Sequence, residues 1–595
     1  MTPAAASAPA TIRARIHESA VKRVTRAYAA TLSEILLESL QNARRAGATR
    51  IHVVVSAPAA PPEPNSPGAA ESSFNLTVAD DGAGVADPAV LLSFGENGWP
   101  EDLVRREDAA GFGFASLARR GCTVSSRPRS PDGETRQGWR VELAPQHFLG
   151  ECETEVRAND AAPFPHGTSI LFPATETLGG IRNAAKNAAR HYPLPVVFEN
   201  RADGETVETE ELPRRAFLDG AVHAEPWRGL AFGVFRDRHR GYNDPDLNFF
   251  GLTLPVGLPT VETVHGPTWT VRADIGDCPD LELVLPARKE AVENAFLAEM
   301  RTAARRAIYR AMAADSDPRP TFADWARAQQ AGIDIAPPPA MLRPWRPCVA
   351  DTDDWREPAR LVQAGHDSLI MACDPEPPEA QALWRAAERA GIVSRLFEAD
   401  RRLDGYRWYD GLDRVTAMSI QAAADGRWMA LDDYPLPNSP GTAAAPLPAR
   451  PASIRIGLTV RPSPGPDRTL DLPADLAFAC EAWSWLDDAM PLVTVDSPLQ
   501  PHALAELLRA SFFSPSDDSE ADSYATQLDR FDESALHLAT RLLLSDDEAA
   551  RNAIAEAVQR ELVWLAPRDR AVDIHIRRPD VTVTLAGIEG AADRA

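Results

Sequence analysis

Cysteine is scarce in this 595-residue chain: Cys122, Cys152, Cys278, Cys348, Cys373 and Cys480 are the six present. No two form a C-x-x-C pair, which argues against the common zinc and redox motifs. Scattered free thiols suit a reducing cytosol, and the expected location is cytoplasmic. Long apolar runs are also missing. No window reaches the ~18 uninterrupted apolar residues of a membrane helix, so no membrane partner is expected. The first twenty residues lack the apolar core of a secretory signal. Basic residues are in deficit, 62 Lys and Arg against 86 Asp and Glu, for a net charge of −24. That excludes a broad nucleic-acid-binding surface, which needs clustered cations. The best candidate for a local basic patch, residues 236–240 (RDRHR), reads rather as a solvated loop. Residues 348–595 show no internal repeat.

What the chain does contain divides into three parts, as its length requires. A loose tail covers residues 1 to about 15, and helical periodicity runs from His17 to Ala46. Leu32, Ile35, Leu36, Leu40 and Ala43 recur at spacings of three and four, and Gly47 follows as a C-terminal cap. IHVVV (Ile51 to Val55) and FNLTVAD (Phe74 to Asp80) read as antiparallel strands. The proline-rich stretch between them, 56–73, reads as a disordered insert. CTVSS, GWRVELAP and GTSILFP supply further strands to about residue 175. A second α+β block, 176–335, opens on the helix IRNAAKNAARHY and continues through LAFGVF and FFGLTLPV. It ends in a long helix, KEAVENAFLAEMRTAARRAIYRAMA. The remainder, 348–595, mixes helices with strands. It has breaks at Pro435 to Pro451 and Ser514 to Ser523, a terminal strand pair VDIHIRR and DVTVTLAG, and no catalytic motif. The fold class expected is α+β in the first two parts and mixed α/β in the third.

Three short motifs carry chemistry. In ESLQNARRAGATRI, Glu38, Asn42 and Arg45 share one helix face opposite the apolar stripe. A glutamate beside a phosphate can deprotonate water, and an asparagine oxygen is a hard ligand suited to Mg²⁺. In DDGAGV, Asp80 ends a strand and can accept a hydrogen bond from an adenine amino group. Gly82 and Gly84 let the backbone pass close to a flat base. In GFGFAS, Gly111 and Gly113 lead toward Ser116 and a second helix, whose free N–H groups would attract phosphate. Thr168 begins a later strand, where its hydroxyl could support Asp80. Each motif alone also fits an ordinary polar face or a tight turn. Their order and structural context point together to an ATP site that is not a P-loop.

In these residues the chain resembles the GHKL ATPase superfamily of gyrase B, the large heat-shock chaperones, histidine kinases and MutL. The resemblance implies a Bergerat-type α/β sandwich over 1–175, with ATP and Mg²⁺ as cofactors. It makes Glu38 the general base and Asn42 the magnesium ligand. Asp80 would read adenine, in a pocket shaped by Gly82 and Gly84 and backed by Thr168. Gly111, Gly113 and Ser116 would close over the phosphates. Residues 86–110, with GENG (Gly95 to Gly98), would form an ATP lid. It extends to a transducer-like middle domain over 176–335, whose LVLPARKE segment offers Arg288 or Lys289 to the γ-phosphate; a charged helix start fits those two residues equally.

The chain departs from the family pattern at Arg45, where MutL and the chaperones usually carry Asp, in its short lid, and in the 56–73 insert. The leading expectation is Mg²⁺-dependent ATP binding with slow hydrolysis that drives conformational change. Residues 348–595 would bind a protein partner or form a homodimer. A non-hydrolysing switch or scaffold and a histidine-kinase-type phosphotransferase stay open as alternatives. Only His17 precedes the first motif as a phosphoacceptor candidate. A DNA-repair or topoisomerase subunit is disfavoured by the acidic charge.

Overall fold

The apolar stripe of the first motif is a buried helix face. In a computed structural model of the chain, α1 spans Leu32–Arg45, and Leu32, Ile35, Leu36, Leu40 and Ala43 are all buried. Thr31 caps it by accepting from the Glu34 N–H, while the Glu34 carboxylate accepts in return from the Thr31 N–H at 2.7 Å. The structure describes residues 31–57, 74–93, 99–100, 103, 113–130, 132–159, 165–202, 205–237, 244–284, 290–351, 357–424, 426–433, 450–479, 486, 490–518, 521–567 and 570–587. The tail and helical residues before 31, with His17, lie outside the described residues. So do 58–73 of the expected insert, GENG (Gly95 to Gly98) of the expected lid, most of the proline-rich break, and Gly111, Arg288 and Lys289.

The chain divides into two compact units, 1–338 and 339–595. In the first, α1 lies on a mixed sheet with strands β1 (Ile51–Ser56), β2 (Phe74–Asp80), β3 (Cys122–Arg127), β4 (Trp139–Leu143), β5 (Arg157–Ala158), β6 (Gly167–Ala174), β7 (Val196–Ala202) and β8 (Glu205–Glu211). Their spatial order is β5-β4-β3-β6-β2-β1-β7-β8. β1 and β2 pair antiparallel as expected, with Ile51 opposite Asp80. β7 joins β1 in parallel, and the helix α2 (Leu178–Ala189) that connects β6 to β7 supplies Ile181, Ala185 and Ala188 to the same core as α1. A parallel pair needs such a crossover, so this layer runs on through Glu211, past residue 175.

A second sheet in the same unit has the order β12-β11-β13-β10-β9. Its strands are β9 (His223–Trp227), β10 (Leu230–Asp237), β11 (Leu247–Phe249), β12 (Leu252–Leu254) and β13 (Thr268–Ile275). FFGLTLPV, expected as one strand, is a hairpin, because Phe250 (φ 53°) and Gly251 (φ 98°) turn the chain between β11 and β12. The long helix α3 (Ala295–Ala313) covers this sheet with Leu297, Met300, Ala304 and Ile308. It starts at Ala295 rather than at residue 289, because the Asn294 side chain accepts from the Leu297 N–H and so caps it there.

α1 also touches this second sheet. Buried Gln41 donates Nε2 to the carbonyls of Phe249 (3.2 Å) and Phe250 (2.6 Å). The Arg44 guanidinium stacks 3.7 Å from the Phe250 ring centre. The Tyr192 hydroxyl donates to Leu40 O at 2.6 Å.

The second unit centres on a six-stranded mixed sheet, with α4 (Pro377–Ala390) packing Ala380, Leu383 and Ala387 into its core. Buried Asp475 accepts from Arg385 Nε (2.8 Å) and Nη2 (2.7 Å) and from the Ser497 hydroxyl (2.7 Å). Burial raises that carboxyl, but these partners outweigh it and hold the group below the ordinary carboxylate range. It ties α4 to the chain beside it and has the character of a structural pair. The expected terminal strand pair forms as an antiparallel hairpin, Arg570–Arg577 with Asp580–Gly587. Taken whole, the described chain is mixed α/β with several mixed sheets. Among its described residues no helix is long and apolar enough to cross a membrane.

Candidate functional site

The face of α1 opposite its apolar stripe looks into a cavity of about 410 Å³. Glu38, Asn42 and Arg45, three residues that sequence periodicity puts on one face, all line it. The facing wall is the sheet. Val78 on β2, Ile170 on β6 and Val124 on β3 lie directly opposite one another across three adjacent strands. They give the cavity a flat apolar floor. The next row, two residues along each strand and on the same face, is polar: Asp80, Thr168 and Ser126. The third side is the segment after β2, where Val85, Ala86, Asp87, Val90, Leu91 and Trp99 close over the space. Asp87 starts a single 3₁₀ turn there by accepting from the Ala89 N–H at 2.9 Å.

Asp80 and Asp81, adjacent in sequence, do different work. Asp81 turns away and accepts from Thr49 N (2.7 Å), Thr49 Oγ1 (2.6 Å) and Arg50 N (3.0 Å). Burial alone would raise its carboxyl, but these hydrogen bonds outweigh that and keep it below the usual range. Asp80 lines the cavity instead. Burial pushes its carboxyl up to about 6, against the hydrogen bond from the Gly82 N–H at 2.8 Å and one from the Thr168 backbone, with Asp81 adding repulsion. Thr168 Oγ1 stands 3.4 Å from Ser126 Oγ. Ser126 in turn accepts from the Val85 N–H at 2.8 Å. This hydroxyl pair braces the polar row and anchors the start of the covering segment, which Trp139 Nε1 also holds by donating to Val85 O at 2.9 Å.

The glycines have distinct reasons. Gly84 sits at φ 71° with the Arg127 carbonyl where a Cβ would stand, so the turn after Asp80 accommodates no other residue without strain. Gly113 lies against the Glu38 carboxylate, and a Cβ there would overlap Oε2. The expected second helix is corrected by the structure. Gly113–Leu117 is one 3₁₀ turn, ended by Gly121 (φ 68°) before β3 begins. So short a turn has little dipole to offer a phosphate. Ser116 is buried and lies outside the cavity lining.

Glu38, Asn42, Asp80, Gly84, Gly113 and Thr168 thus meet at one cavity, with Gly82 bonded to Asp80 at its edge. Sequence reading missed Ser126 and the apolar row. Alternation in CTVSS could have placed Ser126 on one face of a strand, but not beside Thr168. Arg45, expected on this face but given no role, departs from the pattern of the resembled family. Its Nη1 donates to Asn42 Oδ1 at 3.3 Å, so that amide oxygen already faces a cation. This suits Asn42 to hold a magnesium ion, provided the guanidinium yields the position. Among the described residues no group of three or more His, Cys, Asp or Glu side chains could hold a metal.

Because Asp80 titrates near 6 in the folded chain and near 3.8 when exposed, the folded state binds the extra proton. Its contribution is fully present below the unfolded value and is lost as pH rises through about 6. Above that pH the buried charge costs up to about 3 kcal/mol. Asp80→Asn is expected to raise the denaturation midpoint at pH 8, with the gain shrinking as pH falls toward 4. A gain independent of pH would contradict this electrostatic account.

Among solved structures, the chain is similar to the B subunit of DNA gyrase from Myxococcus xanthus, at 16% identity and a TM-score of 0.29. The match covers 48% of this chain and 93% of that one. It is also similar to the N-terminal domain of a DNA repair protein, at 13% identity and a TM-score of 0.27, over 48% of this chain and 96% of that one. No protein-family model and no curated protein matches it. Similarity at this level is too weak to define the site, whose reading rests on the geometry of the cavity.

Proposed function

We propose that the cavity of the first unit binds an adenine nucleotide and that the chain is a slow GHKL-type ATPase. The single observation that carries this reading is the pair of adjacent cross-strand rows, apolar Val78–Ile170–Val124 and polar Asp80–Thr168–Ser126. A flat base lying on the first row brings its exocyclic amine to the Asp80 carboxylate, an acceptor without competing donors when ionised. The volume suits a small ligand, since such pockets measure roughly 300–1,000 Å³. The phosphates would then run toward α1, where Glu38 and Asn42 face the same space.

In this reading Glu38 takes a proton from an attacking water, and Gly113 leaves room for its carboxylate. Asn42 would hold Mg²⁺, which when bound neutralises phosphate charge. Gly82 and Gly84 shape the adenine end. Arg288 or Lys289, from the LPARKE segment, and Gly111 keep their proposed phosphate contacts on the sequence alone. Ser116 has no direct contact in this scheme.

Two outcomes test it. Glu38→Ala is expected to bind ATP with near wild-type affinity by calorimetry while turnover falls about 10²–10⁴-fold. Equal turnover in the two proteins would remove Glu38 from the chemistry. The second outcome concerns Arg45, which shares the Asn42 oxygen with any metal. Wild-type protein should keep much of its ATP affinity in EDTA, because the guanidinium supplies positive charge there. Arg45→Ala should bind ATP weakly in EDTA and regain affinity with Mg²⁺. If EDTA weakens both proteins equally, Arg45 plays no such part.

A further inference from the structure

Beside the nucleotide cavity the first unit carries a second, larger groove of about 840 Å³. Side chains alternate between faces along a strand, and β4 turns buried Val141 and Leu143 toward it. Phe148, from the short helical turn after β4 (Pro145–Phe148), completes the apolar floor. The chain then runs back antiparallel to β4 as β5. On the way Thr154 Oγ1 donates to Glu142 O at 2.9 Å, which pins this return segment beside β4 as one bank of the groove. The 3₁₀ turn after β2 supplies another bank through Pro88, Ala89 and Leu92.

That turn and a pair of rings form a wall common to both spaces. Val90 and Leu91 line the nucleotide cavity, Ala89 and Leu92 line the groove, and Asp87 lines both. Phe114 of the cavity stacks on Phe148 of the groove, with ring centres 5.9 Å apart and planes at 27°. The two spaces differ in charge. The cavity includes Arg45. The described residues that line the groove include no Lys or Arg, but three carboxylates, Asp87, Glu151 and Glu153. His147 spends Nδ1 as an acceptor for the Ala144 N–H at 2.8 Å.

We propose that this groove is a second ligand site, which takes a small primary amine carrying an apolar body. The carboxylates attract an ammonium head and repel phosphate, so the groove is no extension of the nucleotide site. The Val141, Leu143 and Phe148 floor rewards an apolar body that takes it out of water. The volume lies within the roughly 300–1,000 Å³ of small-molecule sites, which favours a free amine over a macromolecule. A ligand held there rests on the far side of the wall that closes the nucleotide cavity. The inference goes beyond the nucleotide reading and does not depend on it.

Cys152 is an exposed free thiol in the groove lining and serves as the reporter. Cys122 and Cys278 are buried, and exposed Cys348, in the second unit, is the internal control. The test is the alkylation rate of each thiol in the full-length chain, read by peptide mass spectrometry, with phenylbutylammonium as the probe. Alkylation of Cys152 should slow about tenfold once the probe reaches about ten times its dissociation constant, with Cys348 unaffected. Phenylbutanol and phenylbutyrate at the same concentration should protect far less. The double variant Glu151→Gln with Glu153→Gln should raise the half-protecting concentration roughly three- to tenfold. Glu155→Gln, outside the lining, should leave it unchanged. A half-protecting concentration is insensitive to any change that the lost charges make in the thiol's own reactivity. Equal protection by the amine and the alcohol would overturn the proposal, as would protection indifferent to the double variant. So would a Cys152 that the amine does not protect, whether the groove is then empty or filled by another part of the chain.

Discussion

One helix is asked to satisfy three surfaces at once, and the first unit depends on it. α1 buries Leu32, Ile35, Leu36, Leu40 and Ala43 against the eight-stranded layer. It turns Glu38, Asn42 and Arg45 into the cavity. On a third side it holds the second sheet through Gln41 and Arg44. A helix has few ways to rotate when three faces are committed. Turning it far enough to move Glu38 would pull Gln41 from the Phe249 and Phe250 carbonyls and leave buried polar groups without partners, which costs about 1–3 kcal/mol each. The position of the candidate base is therefore coupled to the turn between β11 and β12, far away in sequence.

The cavity has a second constraint. Asp80 is held where burial disfavours its charge, in a row whose neighbours on the sheet are hydroxyl-bearing and whose adjoining row is aliphatic. A core built only for stability would fill such a space with apolar side chains. Here a carboxyl is kept instead, and Ser126 and Gly82 spend hydrogen bonds to order it and its surroundings. Perturbed carboxyls in clefts are a mark of functional sites. The contrast with Asp81, stabilised in its charged form by the Thr49 and Arg50 amides, shows that the two aspartates are not interchangeable.

Much of this was legible in the sequence where the signal is local. Helical periodicity located the buried stripe and the polar face of α1, and strand-like, β-branched composition located β1, β2, β3 and β6. What depends on pairing was not legible. That β6 lies between β2 and β3, so that Asp80, Thr168 and Ser126 form one row, follows from long-range register that no short window encodes. The same is true of β7, which extends the first layer to Glu211 by parallel pairing with β1. Local cues also misled. GFGFAS resembles a helix start, but Gly121 and β3 follow too soon for more than a 3₁₀ turn. FFGLTLPV has strand composition throughout, but the positive φ at Phe250 and Gly251 makes it a hairpin.

The central claim is that the space between α1 and the Asp80 row is a nucleotide site. Photoaffinity labelling with an azido-adenine nucleotide, followed by peptide mapping, tests it most directly. Label should be recovered on peptides that contain Val78 to Leu91 or the strand of Thr168 and Ile170, and excess ATP should abolish it. Label confined to the second unit, or incorporation that ATP does not displace, would contradict the assignment.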